Sequence, residues 1–172
     1  MRQESDRHSE ALDCITKYLG LGSYLQWDEG ARVNWITQQL QSKRPLLRTG
    51  TWNEPSNESF FTDTAKDTLE TFEMISEQHD ASLGAYVISQ CTSASDIMAV
   101  LLLQRDAGVK KPLRVVPLFE TLDDLQGAAA TMEQLFSIPA YIGSLEGRKQ
   151  EVMSKCDRSV YTDLALSVYF VC

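Results

Sequence analysis

Between Leu113 and Leu125 an apolar run stops at an acid, and a helix-start signal follows without a gap. The run Leu113-Arg114-Val115-Val116-Pro117-Leu118-Phe119 is nearly continuous in apolar character, as a strand buried on both faces must be. Glu120 ends it. Thr121, with Asp124 three residues later, has the spacing of a capping box and opens a helix that carries Leu125, Ala129, Met132, Leu135 and Phe136. A strand that hands one carboxylate to its carboxyl end and turns at once into a helix is the unit of parallel β/α folds, whose chemistry gathers at that rim.

The same unit occurs upstream. Ala85-Tyr86-Val87-Ile88-Ser89 is short, β-branched and aromatic and predicts a strand. Ser93 and Asp96 form a capping box for a helix through Ile97, Val100, Leu101 and Leu102, ending near Gly108. A further strand is expected over 150–153. Earlier in the chain the spacing predicts a helix over 9–19, with Ala11, Leu12, Ile15, Tyr18 and Leu19 on one face. Asp28 caps a second helix bearing Val33, Ile36 and Leu40, and a third over 64–76 buries Leu69, Phe72 and Ile75. The stretch 47–57, rich in Thr, Gly, Asn, Pro and Ser, reads as an exposed loop. Strand, helix, strand, helix, strand in tandem implies a parallel sheet. No G-x-G-x-x-G sits in either strand-to-helix turn, which disfavours a dinucleotide-binding sheet and favours part of a β/α barrel.

Composition removes several function classes. A length of 172 residues with 43% hydrophobic content suits one domain. A net charge of -8 argues against nucleic acid and anionic membrane as partners. No apolar run is long enough to span a bilayer, and the first eight residues lack the apolar core of a signal peptide. Cys14, Cys91, Cys156 and Cys172 are scattered without C-x-x-C spacing, so they read as reduced thiols of a cytoplasmic protein. His8 and His79 neighbour no ligand cluster of the zinc type.

Glu120 has two readings. One is an oxygen ligand for Mg²⁺ or Mn²⁺, or a general base, at a barrel mouth. The other is a solvated acid paired with Lys110 or Lys111. Asp123 and Asp124 read as first-turn acids that favour the helix dipole. Arg2, taken alone, is a solvated terminal charge, and His79 is a surface residue. No nucleophile, histidine and acid stand at catalytic spacing.

The order of short motifs resembles an internal segment of the phosphoenolpyruvate carboxylase family. It runs through Arg2-Gln3-Glu4-Ser5, Tyr18-Leu19-Gly20-Leu21-Gly22-Ser23-Tyr24 and Lys43-Arg44-Pro45-Leu46. It continues through Gly84-Ala85-Tyr86-Val87-Ile88-Ser89, Ser95-Asp96-Ile97-Met98-Ala99-Val100 and Leu102-Leu103-Gln104-Arg105. It then covers Val115 to Leu125, Leu135-Phe136-Ser137-Ile138 and Lys149-Gln150-Glu151-Val152-Met153. The resemblance implies an incomplete parallel β/α barrel of the TIM type with several additional helices. It also implies an enzyme, a homotetramer in the family, that joins bicarbonate to phosphoenolpyruvate with Mg²⁺ or Mn²⁺, giving oxaloacetate and phosphate. By the same resemblance Arg2 holds the substrate phosphate and Glu120 is one ligand of the metal.

The resemblance covers residues 1–153, and 154–172 departs from it. After Val152-Met153 the family continues Ile-Gly-Tyr-Ser-Asp-Ser, whose aspartate is the second metal ligand. This chain reads Ser154-Lys155-Cys156-Asp157-Arg158-Ser159, and Asp157 is one place out of register. The family's catalytic histidine lies upstream of this segment and its glycine- and arginine-rich loop downstream, so no catalytic residue is expected here. The change at Ser154 fits a shifted reading frame, a retained intron or a mistaken gene model; a divergent terminal segment is the alternative. A catalytically inactive fragment, or a non-catalytic partner of intact enzyme, is therefore the second functional expectation. Part of a barrel also leaves strand edges and one apolar sheet face without partners.

Overall fold

The computed structural model describes residues 1–42, 44–79, 82–119, 122–145, 150 and 152–154. In chain order its elements are strand β1 (Arg2–Glu4), helices α1 (Ser5–Tyr18), α2 (Glu29–Gln41) and α3 (Asp63–Glu77), strand β2 (Ala85–Ser89), helix α4 (Ala94–Asp106), strand β3 (Arg114–Phe119), helices α5 (Leu122–Phe136) and α6 (Pro139–Leu145), and strand β4 (Met153–Ser154). The four strands form one parallel sheet in the order β1-β2-β3-β4. Helices link every successive pair, as parallel strands require. Arg2 stands opposite Val87 and Val87 opposite Val116, which sets the register across the first three strands. Pro117 has no N–H to give; it closes the pairing with β2 opposite Ile88, and pairing passes to β4 at Leu118 and Phe119.

Helix α4 is the centre of the molecule. Residues Ile97 to Val100 are all inaccessible to solvent, and the helix packs on α1, α2, α3, α5 and β3. An apolar circumference of that kind marks a helix with neighbours all round. The carboxylate of Asp96 fixes its start by accepting from the backbone N–H groups of Thr92 and Ser93, each at 3.0 Å. Its end is a Schellman turn: Gly108 has φ +77°, its N–H donates to Arg105 O, and Val109 N–H donates to Gln104 O. Helix α1 stops the same way at Gly20, with φ +73°. Asp28 and Thr62 cap α2 and α3 through the N–H groups of Ala31 and Ala65.

Five features differ from the sequence expectations. Helix α1 begins at Ser5, four residues early, because its first turn is polar and carries no apolar period. Strand β1 was not foreseen, since Arg-Gln-Glu has no strand signature. The stretch 47–57 is not simply an exposed loop: Leu47, Thr51, Trp52 and Asn57 are buried, and two 3-10 turns, Thr51–Asn53 and Pro55–Asn57, organise it. Helix α6 is additional. The last strand starts at Met153 rather than Gln150, whose side-chain amide instead donates to Val115 O at 2.7 Å. The Thr121–Asp124 capping box lies outside the described side chains.

Candidate functional site at the carboxyl rim of the sheet

Side chains alternate between the two faces of a strand, and residues in register share a face. Gln3, Tyr86, Ile88 and Val115 therefore lie toward the helices, and the last three belong to their apolar core. Arg2, Glu4, Val87, Ser89, Val116 and Leu118 take the opposite face. Val116 and Leu118 are only 2% and 5% exposed, so that face is covered along β3, whereas Val87 is half-buried and Arg2 and Glu4 are exposed. Arg2 is exposed at the first position of β1.

The carboxyl ends of β1 and β2 are tied together. Ser5 Oγ donates to Gln90 O at 2.7 Å, and Ser89 Oγ to Gln3 O at 3.4 Å. Gln90 has φ +55°, a left-handed conformation unusual for a residue with a side chain. Nothing in the sequence announces it. Beyond this rim opens a cleft of about 640 Å³, lined by Ser5, Asp6, Trp27, Arg32, Gln90 and Asp96 among others. Burial raises the Asp96 carboxyl above its usual range, with the N–H groups of Thr92 and Ser93 pulling the other way. Glu29 accepts from Ser95 N–H at 2.9 Å and Ser95 Oγ at 2.6 Å.

His8 lies on the helix face of the sheet, away from this rim. It is inaccessible to solvent, and burial, with the charge of Arg7, lowers its pKa to about 3. A group so placed is a neutral structural partner rather than a base at neutral pH. His79 is exposed, in a hollow of about 370 Å³ with Lys110 and Lys111 at the amino end of β3. Phe119, to which Glu120 is bonded, closes the other end of that strand, about 20 Å away for a strand of this length. Glu120 and Asp157 lie outside the described residues. Among the described residues no three His, Cys, Asp or Glu side chains gather to hold a metal ion. A divalent cation bound through carboxylates needs more than those residues bring together. No helix among them is long and apolar enough to cross a membrane.

Parallel strands joined by helices define a segment of an α/β protein, with polar groups tied together at the carboxyl ends of its first two strands. The family model for phosphoenolpyruvate carboxylase matches residues 1–155. Over 153 residues the chain is 52% identical to the phosphoenolpyruvate carboxylase of Acinetobacter baylyi, covering 89% of this chain and 17% of that enzyme. It is 51% identical to that of Picea abies and 49% to the C4 phosphoenolpyruvate carboxylase of Flaveria trinervia, covering 89% of this chain and 15% of each of those proteins. The chain belongs to the phosphoenolpyruvate carboxylase family, and it spans about a sixth of the length of the curated relatives it matches.

Proposed function

We propose that this chain is a segment of an enzyme that joins bicarbonate to phosphoenolpyruvate, giving oxaloacetate and inorganic phosphate. The observation that carries the reading is half identity to enzymes of that name across nearly nine-tenths of the chain. The parallel sheet is read as one part of a closed β/α barrel, in keeping with its strand order and its helical crossovers. Arg2 holds the substrate phosphate, since a guanidinium fork matches phosphate oxygens better than an ammonium does. Glu120 is one oxygen ligand of a Mg²⁺ or Mn²⁺ ion, which supplies Lewis-acid stabilisation when bound. Residues 154–172 are read as a tail outside the family sequence, in keeping with a match that ends at 155. The buried thiols of Cys14 and Cys91 suit a reducing compartment, the cytoplasm, and the charge of -8 does not suit nucleic acid.

Residues 1–172 by themselves are catalytically silent on this reading, because the 153 that match amount to 15 to 17% of the relatives' length. A malate-dehydrogenase-coupled assay of the purified chain should show no bicarbonate-dependent consumption of NADH. Clear turnover would overturn the silent reading. In an intact relative, Lys at the position of Arg2 should raise KM for phosphoenolpyruvate at least about tenfold, the worth of one charge-assisted hydrogen bond. An unchanged KM removes the assignment of Arg2.

A further inference from the structure

We propose that Gln3, Tyr86 and His8 are positioning residues: a hydrogen-bonded relay behind β1, buried at Tyr86 and His8, that fixes the strand's register and so aims Arg2. The inference rests on the reading of Arg2 as the phosphate-holding residue.

Apart from its ladder with β2 and the ties of Met1 and Ser5 to Ala85 O and Gln90 O, strand β1 has no apolar pattern to fix its register. It is three residues long, it stands at the end of the strand order, and its sequence, Arg-Gln-Glu, has no apolar alternation. Register is weakly specified in such a strand, and a slip of one residue exchanges its two faces. Here a slip turns the Arg2 guanidinium from its exposed face toward the apolar core and turns Gln3 out.

The relay works against that slip. Gln3 Oε1 accepts from the Tyr86 hydroxyl at 2.5 Å, and the same hydroxyl stands 2.8 Å from His8 Nε2. Tyr86 has one proton and gives it to Gln3, so His8 donates through Nε2–H as a neutral imidazole. Gln3 Nε2 reaches Thr71 Oγ1 at 3.5 Å. Tyr86 and His8 are both inaccessible to solvent. Their rings are locked as well: Tyr86 stacks on Phe72 with centroids 5.3 Å apart, and His8 meets Tyr86 edge-on at 5.5 Å. His8 sits in the first turn of α1, which leaves β1 without an intervening loop, so the relay joins the strand to the helix it feeds.

A polar network in this place is not explained by stability. Apolar side chains of similar shape fill such a space at no net cost, whereas a half-satisfied polar network is worse than an apolar core. What a hydrogen-bonded glutamine adds is discrimination: in the slipped register the position of Gln3 is taken by Arg2, which has no acceptor for the Tyr86 hydroxyl, or by Glu4, whose carboxylate accepts but carries a charge toward the apolar core.

The test uses the intact Acinetobacter baylyi enzyme with its matched segment replaced by that of this chain, the substitutions being made within that segment. Tyr86→Phe and His8→Leu should each raise KM for phosphoenolpyruvate, and Ki for inorganic phosphate as competitor, by roughly tenfold with kcat little changed, as for lost binding common to ground and transition state. His8→Gln, which keeps an N–H donor near the place of Nε2, should restore both constants to within about twofold of the parent. Unchanged KM and Ki alongside a lowered melting temperature would overturn the proposal, since that is what a merely structural network gives. Arg2→Lys separates the two layers. If it raises KM and Ki while the relay variants do not, only the positioning role fails; if it too leaves both unchanged, the reading of Arg2 fails beneath it. Should His8→Leu not accumulate, Tyr86→Phe, which removes a single oxygen, decides the matter.

Discussion

His8 is held neutral by burial, with the Arg7 charge acting in the same direction and the Ser5 carbonyl opposing, and its pKa falls to about 3. In the unfolded chain the same group titrates near 6.5. Between those values the unfolded state binds a proton that the folded state refuses. Stability therefore rises with pH across this window; the contribution is complete above about 6.5 and is lost progressively as pH falls toward 3. The slope from this one residue is about 1.4 kcal/mol per pH unit. Urea unfolding at pH 7 and pH 5 should show that loss in the parent chain and a flatter dependence in His8→Gln; equal slopes would contradict it. At this scale little was legible. The first eight residues read as a charged terminus, and nothing in them distinguishes an exposed histidine from one sealed against Tyr86 and Phe72. Arg2 and Glu120 entered through motif resemblance, because a residue's task at a rim depends on partners distant in sequence.

The elements were legible wherever burial imposes a period. Strands β2 and β3 and helices α3 and α4 follow from apolar runs, caps and stops, since core contact selects those residues at fixed spacing. Strand β1 and helix α1's first turn escaped because hydrogen bonds, not apolar contact, hold them. The two glycines of α4's end and α5's middle show how position decides an effect. Gly108 has φ +77° with open space around it, so Gly108→Ala should cost about 1 kcal/mol from backbone strain alone. Gly127 lies within α5, exposed and with nothing near its missing Cβ, so Gly127→Ala should stabilise by up to about 1 kcal/mol. Chemical denaturation of the two variants reads the opposite signs directly. The buried stretch after α2 hangs on a different device. Asp106 at the end of α4 accepts from Leu46 N–H at 2.7 Å and Leu47 N–H at 3.2 Å, while Arg105 Nη1 donates to Gln39 O at 2.7 Å and Ser42 O at 2.5 Å. Asp106→Ala orphans those N–H groups and the Arg105 partner, and should cost on the order of 2–3 kcal/mol. It should also raise proteolysis within 42–48; an intact loop with full stability would refute the clamp.

At the level of the molecule, the sheet has two edges among the described residues, β1 and the two-residue β4, and its weakness is at its edges rather than on one face. Val116 and Leu118 are covered, but β1 pairs with β2 alone in the strand order, and its outward amides have no ladder among the described residues. Arg2 and Glu4 make that edge short and charged, a combination that resists edge-to-edge association. The open sheet should therefore show itself as local opening. In hydrogen exchange of residues 1–172, amides of β2 and β3 should be the slowest, and those of β1 faster by about two orders of magnitude, as an opening cheaper by roughly 3 kcal/mol gives. If the sheet is part of a closed barrel, a further strand closes on β1 in an intact relative, and the aligned amides there should slow toward the level of β2. Equal protection of β1 in the two proteins would mean that this edge is complete without the rest of the enzyme, and the reading of the sheet as an open piece of a barrel would fall. Salt supplies an independent check. The net charge of -8 opposes self-association through its own field, so any dimer that closes the edge should strengthen as ionic strength rises, and β1 exchange should slow with it.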